Sequence, residues 1–137
     1  MSGLQQTAQL DELYRLYGIA AHNCSNIEYR IVFLLLGPKW TRARVTSPET
    51  VRKVYEDLQR KTLGQLLKEY KEHFAFTEQQ IALMKEVLEK RNYLTHHFFG
   101  TYGKDMHDPE VQKKMIAELK ELAIMFQSVS QSLQRDT

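Results

Sequence analysis

Residues 7–36 read TAQLDELYRLYGIAAHNCSNIEYRIVFLLL, and this stretch decides the fold class. Its apolar residues recur at alternating spacings of three and four, which places them along one face of a single helix. The stripe consists of Leu10, Leu13, Tyr17, Ala20, Cys24, Ile27, Ile31 and Leu34. Such a helix is about 45 Å long at about 1.5 Å per residue. Gly37 and Pro38 follow, and we expect them to end the longest helix of a bundle.

Four further helices are predicted from start signals. Two are caps followed by proline, and two are capping boxes in which glutamine follows threonine by three residues. The signals are Ser47–Pro48, Thr62 with Gln65, Thr77 with Gln80, and Asp108–Pro109. The five predicted helices span residues 7–36, 48–60, 63–72, 78–98 and 109–134, with a loop from 38 to 47. Their short connections favour an all-α, antiparallel up-down bundle forming one domain, residues 1–137.

Composition agrees with a helical domain and excludes other classes. The chain has 137 residues, and 19 Lys and Arg against 17 Asp and Glu leave a formal net charge of +2. This small charge excludes a strongly basic protein that coats nucleic acid regardless of sequence. Hydrophobic residues make up 42% and charged residues 26%, as in a globular domain rather than a disordered chain. Six Gly and three Pro are few for a hairpin-rich fold.

The cysteine content and the N-terminal segment bear on the cellular location. The single cysteine, Cys24, cannot form an internal disulfide, and we expect it to pack in the core. Residues 1–9 lack the basic and apolar segments of a signal peptide. The longest apolar run, Ile31–Leu36, is too short to cross a membrane. We therefore predict a cytoplasmic protein with no membrane partner.

Polar residues interrupt the C-terminal half of the fourth predicted helix, where residues 89–99 read EKRNYLTHHFF. At 100° per residue, Thr95, Asn92 and His96 lie about 40°, 100° and 140° from Arg91, so one side of the helix presents all four. Arginine is a permanent planar cation suited to phosphate, an amide orients groups, and imidazole exchanges protons near neutral pH. The combination is typical of a site that handles a phosphodiester.

This pattern, Arg91 and Asn92 followed by His96 late in a small helical chain, resembles the signature of the HEPN superfamily. The resemblance implies a metal-independent endoribonuclease, in many members a toxin or an antiviral defence effector, that needs no cofactor. It implies RNA as substrate and a homodimer whose chains bring Arg91, Asn92 and His96 to one catalytic cleft. In one branch of the family, a nucleotidyltransferase partner controls the toxin by modifying a tyrosine two residues after the histidine. That position is Phe98 here, so the resemblance does not extend to this control.

The chemistry of RNA cleavage also favours a site formed by two chains. Attack by the 2′-hydroxyl needs a base on one side of the phosphate and an acid on the other. One chain offers one His96, so a two-fold dimer would supply both groups and place two Arg91 side chains on the anionic oxygens. Apolar residues outside the main stripes support a second buried face, although a monomer can also bury them. They are Leu16, Ile19, Ile116, Ile124 and Met125.

Two further regions are predicted to contact RNA. The loop after the first helix combines Trp40 with Arg42 and Arg44, which suits base stacking and phosphate contact. Alternatively, Trp40 covers the end of the bundle and the two arginines are solvated. A flexible rim after the fourth helix would place Tyr102 to stack on a base and Lys104 to hold a phosphate.

Structural roles can explain the same residues. Arg91 can pair with Glu28 or Glu86, and His96 can bond to carbonyls at a helix end. His97 points about 100° away from His96, and no HExxH or cysteine spacing supports a metal site.

Two functional hypotheses follow. The first is a dimeric endoribonuclease, with an antitoxin or another regulatory protein as a possible partner. The second is a non-catalytic helical module for dimerisation, adaptor contacts or nucleotide binding. The polar middle of the first helix, residues 22–30, can line a cleft or face solvent under either hypothesis.

Overall fold

The computed structural model describes residues 3–43 and 47–135, and within them the side chains of residues 8–36 and 47–133. All regular structure in these ranges is helical, which confirms the all-α class. The α-helices are α1 (Gly3–Ala43), α2 (Pro48–Gln59), α3 (Leu63–His73), α4 (Glu78–His96), α5 (Phe98–Tyr102) and α6 (Pro109–Arg135). A short 3₁₀ helix, Gly103–His107, joins α5 to α6.

Four helices, α2, α3, α4 and α6, begin at the predicted caps. The Thr62 hydroxyl accepts the Gln65 backbone N–H at 3.2 Å, and the Gln65 side chain accepts the Thr62 N–H at 2.9 Å. The same reciprocal box starts α4 at Thr77. Ser47 accepts a backbone N–H at the start of α2, and Asp108 does so at the start of α6. These bonds satisfy N–H groups that have no partner within their helix.

The predicted end of the first helix is wrong. α1 continues through Gly37 and Pro38 to Ala43, so the predicted loop from 38 to 47 is helical in its first part. Residues 44–46 lie outside the described residues. Proline removes one backbone donor, and a long helix can continue past it when the bonds on either side persist. α1 therefore has 41 residues and extends about 60 Å at about 1.5 Å per residue.

The predicted end of the fourth helix is also wrong. α4 ends at His96 because His97 departs from helical geometry, with φ −128° and ψ −18°. Gly100 lies inside α5, and the chain turns at Gly103, whose φ of 53° suits glycine. The segment expected to be a flexible rim is therefore helical.

Pairs of contacts give the helix directions. Gln9 of α1 donates to the Pro109 carbonyl at the start of α6, and Asn23 donates to the Ala123 carbonyl further along both helices. α1 and α6 therefore run parallel. In the same way, Glu28 of α1 contacts Arg91 of α4, while the earlier residue Tyr17 donates to the Leu94 carbonyl further along α4, so α1 and α4 run antiparallel. α1 packs chiefly against α6.

The core is formed by the predicted stripes of α1 and α6. Fully buried side chains from α1 meet those of α6, with α3 and α4 packed alongside. The residues with no exposed surface include Leu13, Ile27, Ile31, Leu35, Met115, Leu119 and Phe126. Of the five apolar residues expected outside the stripes, only Ile124 is exposed, at 64%, because the monomer packs the other four against its own core.

Candidate functional site

Arg91 occupies a core-facing position of α4. The buried stripe of α4 runs through Met84, Val87, Leu94 and then Phe98 at the start of α5, with Arg91 in its middle. Ile81, near the start of the same helix, is 42% exposed. Val87 and Leu94 are 0% and 2% exposed, so a guanidinium lies between two buried apolar side chains. A cation in an apolar stripe violates the usual helical pattern, and such violations mark functional or strained sites.

The Arg91 side chain is held by two polar neighbours. Its Nε lies 3.6 Å from Oε1 of Glu28 on α1, and its Nη1 donates to Oδ1 of Asn92 at 3.2 Å. The side chains of Arg91 and Glu28 are 29% and 32% exposed, so the pair lies at the edge of the core. Burial raises the pKa of Glu28, and the nearby guanidinium partly opposes the rise. The Arg91–Glu28 pair is one of the two structural alternatives predicted for Arg91.

A shallow groove surrounds this pair between α1 and α4. Its volume is about 180 Å³, and it is lined by Ala21, Cys24, Ser25, Glu28, Arg91, Leu94 and Thr95. Ligand pockets for whole small molecules usually measure about 300 to 1000 Å³. A single chain therefore has room here for a phosphate-sized group but does not enclose a nucleotide.

Cys24 forms part of the floor of this groove. It is 4% exposed, as expected for a core cysteine. Burial, with a smaller contribution from Glu28, raises the pKa of its thiol to about 12. The thiol is therefore protonated at neutral pH and is not a nucleophile.

His96 lies at the last residue of α4 and is exposed to solvent. Its ring centroid lies 6.3 Å from that of His97, which is also exposed. Neither His96 nor Asn92 lines the Arg91 groove, whereas Thr95 does. One chain thus places Arg91 and Thr95 beside Glu28 in the groove, with Asn92 bonded to Arg91 outside it, and leaves the His96 imidazole accessible at the helix end.

Tyr17 fixes the last turn of α4. Its hydroxyl donates to the Leu94 carbonyl at 3.2 Å, and its ring packs against Phe99 at a centroid distance of 4.8 Å. Phe98 is fully buried beside it. The sequence placed Tyr17 in the apolar stripe and gave no sign of its polar contact.

The remaining predicted substrate-binding residues fall in two places. The Tyr102 hydroxyl donates to Glu118 of α6, and its ring packs 5.6 Å from that of Phe98, so its described contacts are internal. Burial and Glu118 raise the pKa of Tyr102. Lys104 is exposed on the 3₁₀ helix.

The other predicted RNA contacts lie at the end of α1 and beyond it. Trp40 and Arg42 belong to helical backbone whose side chains are outside the described residues, and Arg44 lies outside them altogether. Their predicted contacts with RNA therefore stay predictions.

The described residues also bear on metal binding and on membranes. No group of three His, Cys, Asp or Glu side chains in the described ranges is arranged to hold a metal ion. None of the described helices combines the length and the apolar character needed to cross a bilayer.

Comparisons with known proteins give no relative from which a function can be transferred. No protein-family model matches the chain, and no curated protein and no solved structure matches it.

Proposed function

We propose that this chain is a metal-independent endoribonuclease of HEPN type, active as a homodimer. In this proposal Arg91 binds the scissile phosphate, Asn92 orients the guanidinium, and His96 transfers protons. Two His96 side chains, one from each chain, would serve as base and acid on opposite sides of the phosphorus. The developing charge would fall on the two guanidinium groups.

The position of Arg91 within the buried stripe of α4 is the observation that carries the proposal. An ordinary surface ion pair would not require a cation between Val87 and Leu94, where an apolar residue would pack better. The contact between the guanidinium and Glu28 is loose, because the 3.6 Å separation of Nε and Oε1 exceeds hydrogen-bonding distance. A phosphate with two accessible oxygens can compete with such a contact through bidentate hydrogen bonds.

The location of His96 fits a site shared between two chains. The imidazole lies at the end of α4, exposed, and the groove beside Arg91 is too small to enclose substrate. A second chain packed across this end of α4 would enclose the phosphate between the two motifs. Such packing would also exclude water, which strengthens every charged contact with the phosphate.

A non-catalytic helical module is the second candidate, and the Arg91–Glu28 ion pair favours it. In that case the pair joins α1 to α4, and the chain acts through dimerisation, adaptor contacts or nucleotide binding. The two candidates differ in what Arg91 contributes. A structural pair supports stability alone, whereas a catalytic arginine supports RNA cleavage at unchanged stability.

Cleavage of RNA in the presence of EDTA tests the proposal. Wild-type protein is incubated with a mixed pool of RNAs beside His96→Ala, Arg91→Lys and the control His97→Ala. The control removes an exposed histidine one residue away, outside the proposed machinery. We expect loss of about 100-fold or more of the rate for His96→Ala, as for removal of a general acid or base, and an unchanged rate for His97→Ala. Equal rates for the two histidine variants would overturn the proposal.

A toxin or antiviral effector would also slow growth when expressed, and His96→Ala would relieve the effect. A regulatory protein that neutralises the activity, such as an antitoxin, would protect growth without changing the abundance of the enzyme. Growth inhibition that persists in the His96→Ala variant would assign toxicity to another property of the chain.

A further inference from the structure

A larger groove lies between α1 and α6. Its volume is about 510 Å³, within the usual range of about 300 to 1000 Å³ for small-molecule sites. Asn23 ties the two walls together by donating to the Ala123 carbonyl at 3.0 Å. The other residues that line the groove include Asn26, Tyr29, Arg30, Phe33, Gln127 and Gln131. The groove therefore has fixed helical walls and a polar, aromatic lining.

Two half-exposed aromatic rings form one side of the groove. Tyr29 and Phe33 are 51% and 50% exposed, although both are large enough to be favoured in a core. Their ring centroids lie 4.9 Å apart, and Phe33 also contacts Tyr55 of α2 at 6.4 Å. Rigid aromatic rings that face solvent offer stacking surfaces for nucleobases.

Arg30 gives the groove an available positive charge. Arg91 pairs with Glu28, and Lys61 in the adjoining groove pairs with Glu69. Arg30 has no ion-pair or hydrogen-bond partner within residues 8–36 and 47–133, and no acidic side chain of these ranges lines the groove. An arginine without a carboxylate partner, beside two half-exposed aromatic rings, suits a phosphate attached to a planar base.

The remaining lining residues match the edge of a base. The amides of Asn26, Gln127 and Gln131 each offer a donor and an acceptor, as the edges of nucleobases do. Hydrogen bonds to base edges, together with stacking, are how proteins bind unpaired nucleotides.

We propose that the groove between α1 and α6 binds a nucleotide. The base stacks on Tyr29, its edge bonds to the amides, and Arg30 holds the phosphate. Asn26 and Tyr29 also line a neighbouring groove, which shares Glu28 with the Arg91 groove. A single strand of RNA can follow this surface towards Arg91, and in that form the inference rests on the proposed function. A free mononucleotide carries the same base and phosphate as an RNA strand, so it is the alternative ligand for this groove.

Binding to a short fluorescent single-stranded RNA tests the inference. All proteins are full-length and carry His96→Ala, so that RNA is not consumed. Tyr29→Ala and Arg30→Ala are compared with Tyr14→Ala and Arg52→Ala. Tyr14 is a matched control because it is also on α1 and 51% exposed, while Arg52 is an exposed cation on α2. Circular dichroism and thermal melting establish that each variant is folded.

We expect Tyr29→Ala to weaken RNA binding by about 5- to 100-fold, as for loss of one stacked base. Arg30→Ala should weaken binding. It should also make the negative slope of log affinity against log salt shallower by about 0.7, as for loss of one phosphate contact on a single strand. The two control variants should bind as the parent does. Competition by unlabelled ATP, GTP, CTP or UTP that depends on Tyr29 would identify a mononucleotide as the occupant. The absence of such competition would identify an RNA strand as the occupant.

The result that overturns the inference is equal binding by the groove and control variants, or no binding of RNA or mononucleotide by any of them. Loss of dimerisation in Tyr29→Ala without a change in RNA affinity would also overturn it, because a second copy would then cover the groove. The proposed function fails separately: RNA binding through Tyr29 with no cleavage by wild type would leave this inference standing. Cleavage by wild type, together with unchanged RNA binding by Tyr29→Ala, would overturn this inference and leave the proposed function standing.

Discussion

Glu28 is the residue whose ionisation most directly affects the candidate site. Burial raises its pKa despite the neighbouring Arg91, so folding makes ionisation of Glu28 less favourable than it is in the unfolded chain. Its stabilising contribution is present below the ordinary pKa of 4.5 and is lost as the pH rises through the raised folded value. We therefore expect Glu28→Gln to be more stable than wild type at pH 7, with the difference closing below about pH 4.5. Urea unfolding at several pH values measures it.

Glu12 supplies a control of opposite sign. Its pKa is lowered, first by its hydrogen bond with Arg15, so its contribution is present at neutral pH and disappears as the pH falls through the folded value. Glu12→Gln should therefore lower stability at pH 7 and become neutral in acid. Destabilisation by Glu28→Gln at pH 7 would mean that attraction to Arg91 outweighs burial, and would favour the structural role of the ion pair.

Cys24 reports on opening of the Arg91 groove. Raising the thiol pKa from 9.0 to about 12 lowers the thiolate fraction about a thousandfold at pH 8, and the side chain is almost fully covered. We expect labelling by a disulfide reagent to be at least about 100-fold slower in the native protein than in urea. The rate of absorbance change measures it. Complete native labelling within minutes would show that α1 and α4 separate readily near the site.

At the scale of single helices, the two capping boxes give a direct stability test. Thr62→Ala and Thr77→Ala each remove an acceptor for a backbone N–H, and each should lower the free energy of unfolding by about 0.5 to 2 kcal/mol. The Thr→Ser variants retain the hydroxyl and should stay close to wild type. Chemical denaturation measures these free energies of unfolding, provided that the slope of free energy against denaturant concentration is the same in each variant. An unchanged stability for Thr77→Ala would mean that α4 is held by packing alone.

The first residues of the helices could be predicted because a helix cap depends only on residues that are neighbours in sequence. Thr77 and Gln80 satisfy each other within one turn, whatever the rest of the chain does. The ends were less predictable, because continuation past Pro38 and the break at His97 depend on packing that is distant in sequence. Local chemistry starts these helices, and the surrounding helices determine how far they continue.

The candidate site was predictable by residue type but not by orientation. The polar interruption after residue 90 identified Arg91, but Ile81 and Val87 are both apolar, so their residue type alone did not show which of them is buried. The structure buries Val87, and Arg91, one turn later, lies beside Glu28. Tyr29 and Phe33, two aromatic residues four apart and off the main stripe, were the sequence signal for the second groove. The structure leaves both rings half-exposed.

At the scale of the whole molecule, the grooves share one structural element. The Arg91 groove and the nucleotide-sized groove both use side chains from the middle of α1, while α4 and α6 form their opposite walls. Because α1 packs along its length in the core, its exposed polar side chains are held at fixed spacing. This arrangement would let one strand of RNA be bound along α1 and cut beside α4.

The same geometry favours a cleft shared by two chains. His96 lies outside the Arg91 groove, and a single chain has only one histidine of this motif, so in the proposed enzyme each active cleft requires two intact chains. Wild type and His96→Ala are mixed in equal amounts, unfolded and refolded together at fixed total concentration. Random pairing should leave about one quarter of the activity of wild type alone. A monomeric enzyme would retain about one half, and so would a dimer with independent sites. Mixing with His97→Ala should leave full activity. RNA cleavage in EDTA therefore measures how many chains form the site.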